Sequence, residues 1–327
     1  MRRRSHLPRT KDVTFVDPDA VGRAPAASKN ERMTHPSDRV VLPPLQLGRT
    51  LDQLLLSFVE ARPLVQLVFL LRFLVGTAIA QTEAESVRAA QGGVAWMCAV
   101  WFVYLLNGLT DVAGDRRNGS RRPLATNELD PRFAANLCVV LAAASIAVGI
   151  LVGDGYVLLV VAMLALGLVY STGPGAAKLS AQPALLVAAA GSTLTYIAGA
   201  EAVGVADSAV LAFALTTGAW IVVVGHCKDL GDEDGDRQSG RRTLSIVVGR
   251  ARARRLIAVG SVVVACLAAV VASVVPGTQS LLLMLPGAVA VVALTIRGAK
   301  HERSSQKGLY RAFMLVQYAV NLGALVK

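Results

Sequence analysis

Past Pro63, the apolar residues fall into runs of near-constant length. Nine runs stand out, at 63–81, 93–110, 133–152, 155–172, 181–203, 208–226, 254–275, 279–296 and 309–326. Each approaches the roughly 20 residues that a helix needs to cross the hydrocarbon core. Lipid offers no partner to a free backbone N–H or C=O, so each run is expected to be helical. The pattern predicts an all-α integral membrane bundle of about nine transmembrane helices over residues 62–327. Residues 1–61 differ in kind: they carry many Arg, Pro, Asp and Ser, with no long apolar run before Leu54. That composition predicts a disordered basic tail closing in a short interfacial helix over Leu51–Glu60. No apolar stretch follows Arg2, Arg3 and Arg4, so a signal peptide is not expected.

Composition agrees with the pattern. Of the 327 residues, 54% are hydrophobic and 17% charged, where a soluble domain has about 25% charged. The net charge of +11 would by itself suggest nucleic acid, but its distribution argues otherwise. Loops 111–132, 227–253 and 297–308 are crowded with Arg and Lys, while the intervening loops hold Arg88 alone against Glu83, Glu85, Asp154 and Asp207. Every second loop is positive, which places the basic loops and the N-terminus in the cytoplasm. An odd number of spans then puts Lys327 outside. The expected location is the inner or cell membrane of a bacterium, with membrane lipid rather than nucleic acid as surroundings. The four cysteines form no CxxC pair, so neither a zinc site nor a disulfide scaffold is expected.

Two acidic clusters interrupt the apolar pattern on the cytoplasmic side. The first, Asn107, Asp111 and Asp115, repeats every four positions, so a helix would stack the three along one face. The second, Asp229, Asp232 and Asp236, follows the sixth run at i, i+3 and i+7. Acids at the ends of membrane helices are costly without a role or a partner. Two facing sets of oxygen ligands suit a hard divalent cation, which takes one or two carboxylates and completes its shell with water and phosphate. Arg122 follows the first cluster, and Lys228, Arg237, Arg241 and Arg242 bracket the second. Carboxylates for metal beside Arg and Lys for phosphate oxygens form a constellation for pyrophosphate.

These motifs resemble those of the UbiA-type membrane prenyltransferase superfamily. The first cluster is similar to its NxxxDxxxD motif, followed here by Arg122-Pro123-Leu124. The segment from Lys228 to Leu244 resembles its KDxxDxxGDRxxGxxTL form, Tyr170 to Pro174 with Lys178 its YSxxP…K loop, and Ala61-Arg62-Pro63 its approach to the first helix. The resemblance implies nine helices and an active site on the cytoplasmic side. Asn107, Asp111 and Asp115 would hold one Mg²⁺, and Asp232 and Asp236, assisted by Asp229, a second. The two ions would be bridged by the pyrophosphate of an isoprenyl diphosphate, with Arg62, Arg122, Tyr170, Lys178 and Lys228 against the diphosphate. Asp111, Asp115, Asp232 and Asp236 would be the catalytic set. The allylic cation would pass to an aromatic, quinone-precursor or lipid acceptor. One departure is Gly108, where the family often has Asp, so a helper carboxylate would be missing.

Other readings compete. The same fold and metals would serve a terpene cyclase that needs no acceptor, or a carotenoid elongase, and intramembrane acids also mark ion transporters. Arg72, inside the first run, would either face a cavity or pair internally. Tyr104 and Tyr196 are candidates for core or cavity, Trp96 and Trp101 for core or interface, and His226 for packing.

Overall fold

Each apolar run must satisfy its own backbone hydrogen bonds in lipid, and the chain does so as a series of helices. The computed structural model describes residues 47–80, 86–231, 233–238, 240–298 and 302–326. The expected tail therefore lies outside the described residues up to 46. Helix α1 is Leu47–Glu60, α2 Pro63–Ala80, α3 Ser86–Arg117, and α4 the single turn Pro123–Thr126. Helices α5 (Pro131–Val152), α6 (Asp154–Ser171), α7 (Ala181–Glu201) and α8 (Ser208–Val224) follow. Two short helices, α9 (Glu233–Gln238) and α10 (Leu244–Val248), precede α11 (Arg250–Val274), α12 (Met284–Gly298) and α13 (Glu302–Leu325).

Among the described residues, eight helices are long and apolar enough to cross a membrane. The ninth expected run folds as part of α13, which is diluted by Arg311, Gln317 and Asn321. Two of these polar groups turn inward. Gln317 accepts from Arg72 of α2, and Asn321 accepts from the Tyr196 hydroxyl of α7 at 2.8 Å. Interhelical hydrogen bonds of this kind tie membrane helices together.

Helices α2 and α7 approach closely at two glycines. A Cβ at Gly76 would lie 2.1 Å from the Tyr196 carbonyl oxygen, and one at Gly199 would lie 2.0 Å from that of Phe73. Two apolar cores flank this contact. One gathers Phe73, Trp96, Leu105 and Tyr156 from α2, α3 and α6. The other gathers Tyr196, Phe213, Trp220 and Met284 from α7, α8 and α12. The Trp96 indole donates to Thr195 Oγ1 at 3.2 Å, which makes it a satisfied core residue. Tyr196 is likewise fully buried.

Helix α1 lies against the middle of α3 through Trp101, whose ring meets Phe58 edge-on at 5.3 Å. Gln53 hooks it to the α4–α5 turn, donating to the Glu128 carbonyl at 3.0 Å and accepting from Asp130 N–H at 2.8 Å. Its outer residues Leu51, Leu55, Phe58 and Val59 are exposed, while Ser57 and Glu60 are buried.

Candidate active site

The corner between α1 and α2 sets the mouth of the site. Arg62 has a positive φ of 61°, an uncommon conformation for a side-chain-bearing residue. Pro63 then opens α2 with a φ already suited to a helix. The turn brings Arg62 to a cavity of about 190 Å³ that runs between the two cores. Helices α2, α3, α6, α7, α8 and α13 wall it, and Asn107, Tyr170 and Lys228 share its lining with Arg62.

Helix α3 continues unbroken to Arg117, so Asn107, Asp111 and Asp115 do share a face. The second cluster does not. A 3-10 segment covers Gly225–Gly231 and α9 starts afresh at Glu233, so Asp229 and Asp236 are not on one continuous helix face. The 3-10 segment ends at Gly231, and glycine weakens helix propagation. Asp232 lies outside the described residues.

Backbone pairing brings the two clusters together. Arg242 N–H donates to the Leu179 carbonyl at 3.2 Å, and Ala181 N–H donates to the Arg242 carbonyl at 3.2 Å. This bridge sets the loop after α6 beside the segment after α9. Lys178 then donates to Asp111 Oδ1 at 2.8 Å and Thr110 Oγ1 at 2.6 Å. Arg241 stands 3.7 Å from Asp111 and 3.6 Å from Asp236, joining the clusters through one guanidinium. Asp236 is buried. Arg122 is committed to carboxylates, with Asp115 Oδ2 at 2.7 Å and Glu60 Oε1 at 2.6 Å.

Sequence reasoning missed Glu60. It is a lone acid at the end of an amphipathic helix, and only the register of Ser57 and Glu60 on the inner face hinted at burial. Burial pushes its carboxyl above the ordinary carboxylate range, while the Leu124 N–H and Arg122 pull it back down. Also unforeseen was the bridging position of Arg241, which the sequence marked only as one of four basic neighbours.

The donor chemistry fits a hard cation. Asn107 Oδ1 is buried and has no hydrogen-bond partner among the described residues. It sits one helical turn before Asp111, so an unused oxygen faces the carboxylate side of the mouth. Among the described residues no three His, Cys, Asp or Glu side chains converge into a complete metal site. His226 is buried on the 3-10 segment and belongs to no such group.

Deeper in the cavity stands Arg72, 4% exposed. One guanidinium nitrogen donates to Gln317, the group lies 4.9 Å above the Phe69 ring, and Nε has no partner among the described residues. The ionisable groups facing it are the phenols of Tyr196, Tyr104 and Tyr318, which are neutral near pH 7. Tyr104 lines the cavity and meets Phe69 edge-on at 5.8 Å.

A model of the UbiA prenyltransferase family matches residues 69–319. A digeranylgeranylglyceryl phosphate synthase of Halobacterium salinarum is 32% identical over 271 residues, covering 80% of this chain and 92% of that protein. A solved structure of a digeranylgeranylglyceryl phosphate synthase superposes with a TM-score of 0.64 at 14% identity, over 84% of this chain and 98% of that one. A UbiA homologue from Archaeoglobus fulgidus, bound to DMAPP and Mg²⁺, gives 0.59 at 20% identity, over 81% and 99%. At such identities the two structures establish a common fold.

Proposed function

Because the chain belongs to the UbiA prenyltransferase family, we propose that it transfers an isoprenyl group from its diphosphate to an anionic lipid acceptor. The observation that carries this is the meeting of both acidic clusters, joined by Arg241, at the mouth of the cavity. Asn107, Asp111 and Asp115 would hold one Mg²⁺, and Asp232 and Asp236, assisted by Asp229, a second. The bound metal supplies positive charge to the pyrophosphate as it leaves.

The chain's own residues do the rest. Lys228, Arg62 and the Tyr170 hydroxyl line the mouth and meet diphosphate oxygens. Lys178 and Arg241 hold Asp111 in place and add positive charge beside the leaving group. Arg122, turned to Glu60 and Asp115, acts on the metal side rather than on phosphate. The allylic C–O bond breaks, pyrophosphate leaves, and the acceptor oxygen bonds to the prenyl carbon and loses its proton. The apolar walls exclude water that would quench the cation.

Two observations support a lipid phosphate as acceptor. The halobacterial relative is named for a glyceryl phosphate product, and Arg72 places a guanidinium inside the cavity whose Nε has no hydrogen-bond partner among the described residues. Arg72→Leu is expected to raise the acceptor KM by about 30-fold, since truncating one side of a buried charge pair costs at least about 2 kcal/mol. The prenyl diphosphate KM should stay unchanged. Steady-state kinetics with each substrate varied in turn would check this, and an equal rise in both would remove Arg72 from acceptor recognition. The alternation of basic loops supports a cytoplasmic active site, with residues 1–61 as a tail and interfacial helix on that side and the C-terminus outside.

One observation favours a cyclase. Phe69, Tyr104, Tyr170, Tyr310 and Phe313 all line the cavity of a chain in which aromatics make up only 5%. The test supplies Mg²⁺ and geranyl, farnesyl or geranylgeranyl diphosphate, with and without a glyceryl ether phosphate. Pyrophosphate released only when the acceptor is present supports transfer. Release without acceptor, with a cyclic hydrocarbon formed, replaces transfer by cyclisation.

A further inference from the structure

The last residue of α1 is an acid wholly shielded from solvent. Glu60 is 0% exposed, accepts from Leu124 N–H at 3.1 Å and pairs with Arg122 Nη2 at 2.6 Å. Arg122 Nη2 also donates to the Glu60 carbonyl oxygen at 3.1 Å, and Nη1 donates to Asp115 Oδ2 at 2.7 Å. One guanidinium thus joins the end of α1 to the last carboxylate of the α3 cluster.

The space for this acid is made by α3 itself. A Cβ on Gly108 would lie 2.4 Å from Glu60 Oε1 and 3.0 Å from Arg122 Nη2. Glu60 therefore fills the volume that a side chain at 108 would need, beside Asn107 and facing Arg122. A buried carboxylate is costly unless paired, and the cation paired with Glu60 is shared with Asp115. The shared cation restricts Asp115 to the orientation that keeps both contacts.

We infer that Glu60 is a positioning residue, which acts through Arg122 to hold Asp115 in the orientation that receives the metal, in space that Gly108 leaves open. The inference rests on the reading of Asp115 as a metal ligand. Groups that orient ligands typically change metal affinity by about 10- to 100-fold when removed.

Mn²⁺ binding to the purified full-length chain, followed by electron paramagnetic resonance without any substrate, tests it. Glu60→Gln should weaken Mn²⁺ by about tenfold. Gly108→Asp alone should also weaken it, because the new side chain collides with Glu60. Glu60→Ala combined with Gly108→Asp moves the carboxylate from α1 to α3 and should recover most of the lost affinity. This pair also serves if Glu60→Gln fails to fold, since it keeps a counter-ion for Arg122. Gln53→Ala, which loosens the other attachment of α1, should lower Tm and leave Mn²⁺ affinity unchanged. Wild-type affinity in Glu60→Gln overturns the inference, as does a double variant no better than its weaker parent, or a wild-type chain that binds no Mn²⁺. If the shifts appear but no prenyl diphosphate yields pyrophosphate, the transferase reading fails and the positioning role of Glu60 stands.

Discussion

Asp111→Asn is expected to slow pyrophosphate release by about 10³-fold, the loss seen when one preorganised stabiliser of developing charge is removed. Asp111 is the meeting point of the site. It lies one turn from Asn107 Oδ1, which has no partner among the described residues, receives Lys178 at 2.8 Å and stands 3.7 Å from Arg241, which reaches across to Asp236. The amide keeps the shape of the carboxylate and removes its charge, so α3 should stay folded. Lys178, Arg241 and Lys228 remain to attract diphosphate, so the loss should fall on kcat and little on KM. Such a split identifies an interaction used in the transition state. A variant with intact turnover would remove Asp111 from the metal site.

Gly199→Ala should destabilise the protein by about 3 kcal/mol, the upper part of the usual range for overpacking. Its Cβ would lie 2.0 Å from the Phe73 carbonyl oxygen, and backbone of α2 cannot yield as the tip of a side chain can. The contact at Gly76 is the reciprocal one, 2.1 Å from the Tyr196 carbonyl. Either substitution forces α2 and α7 apart, and both helices wall the cavity. Activity should fall with stability. Because the two sites share one interface, Gly76→Ala with Gly199→Ala should cost less than the sum of the single changes. Exposed Gly155, with open space around it, provides the control, since Gly155→Ala should stay within about 0.5 kcal/mol of wild type. Thermal unfolding in detergent would measure all four, and an unchanged Tm for Gly199→Ala would contradict the close approach.

Lipid explains why so much of the fold was legible in one dimension. A helix in hydrocarbon satisfies its backbone locally, so run length and polarity suffice to outline α2, α3, α5 to α8, α11 and α12. The ninth run falls short as a span among the described residues, and its polar Gln317 and Asn321 are spent on Arg72 and Tyr196. Such pairing depends on neighbours that a local pattern does not contain. The fourfold repeat of Asn107, Asp111 and Asp115 survived intact because α3 runs straight through it. The spacing of Asp229 and Asp236 misled, because Asp229 lies in a 3-10 turn that ends at Gly231 and Asp236 in a separate short helix.

The sequence by itself determined the membrane class, the helical architecture, the family motifs and the two acidic clusters, all written in local spacing and residue type. Only the tertiary structure decided how these acids are held. The pairing of Arg242 with the Leu179–Ala181 backbone sets Lys178 and Arg241 around Asp111, and α1 returns Glu60 to the space beside Gly108. Arg122, which a linear reading assigns to phosphate, pairs with Glu60 and Asp115. The reason is electrostatic: a charge removed from water takes whichever opposite charge the fold brings within reach, and that neighbour can lie anywhere in the chain.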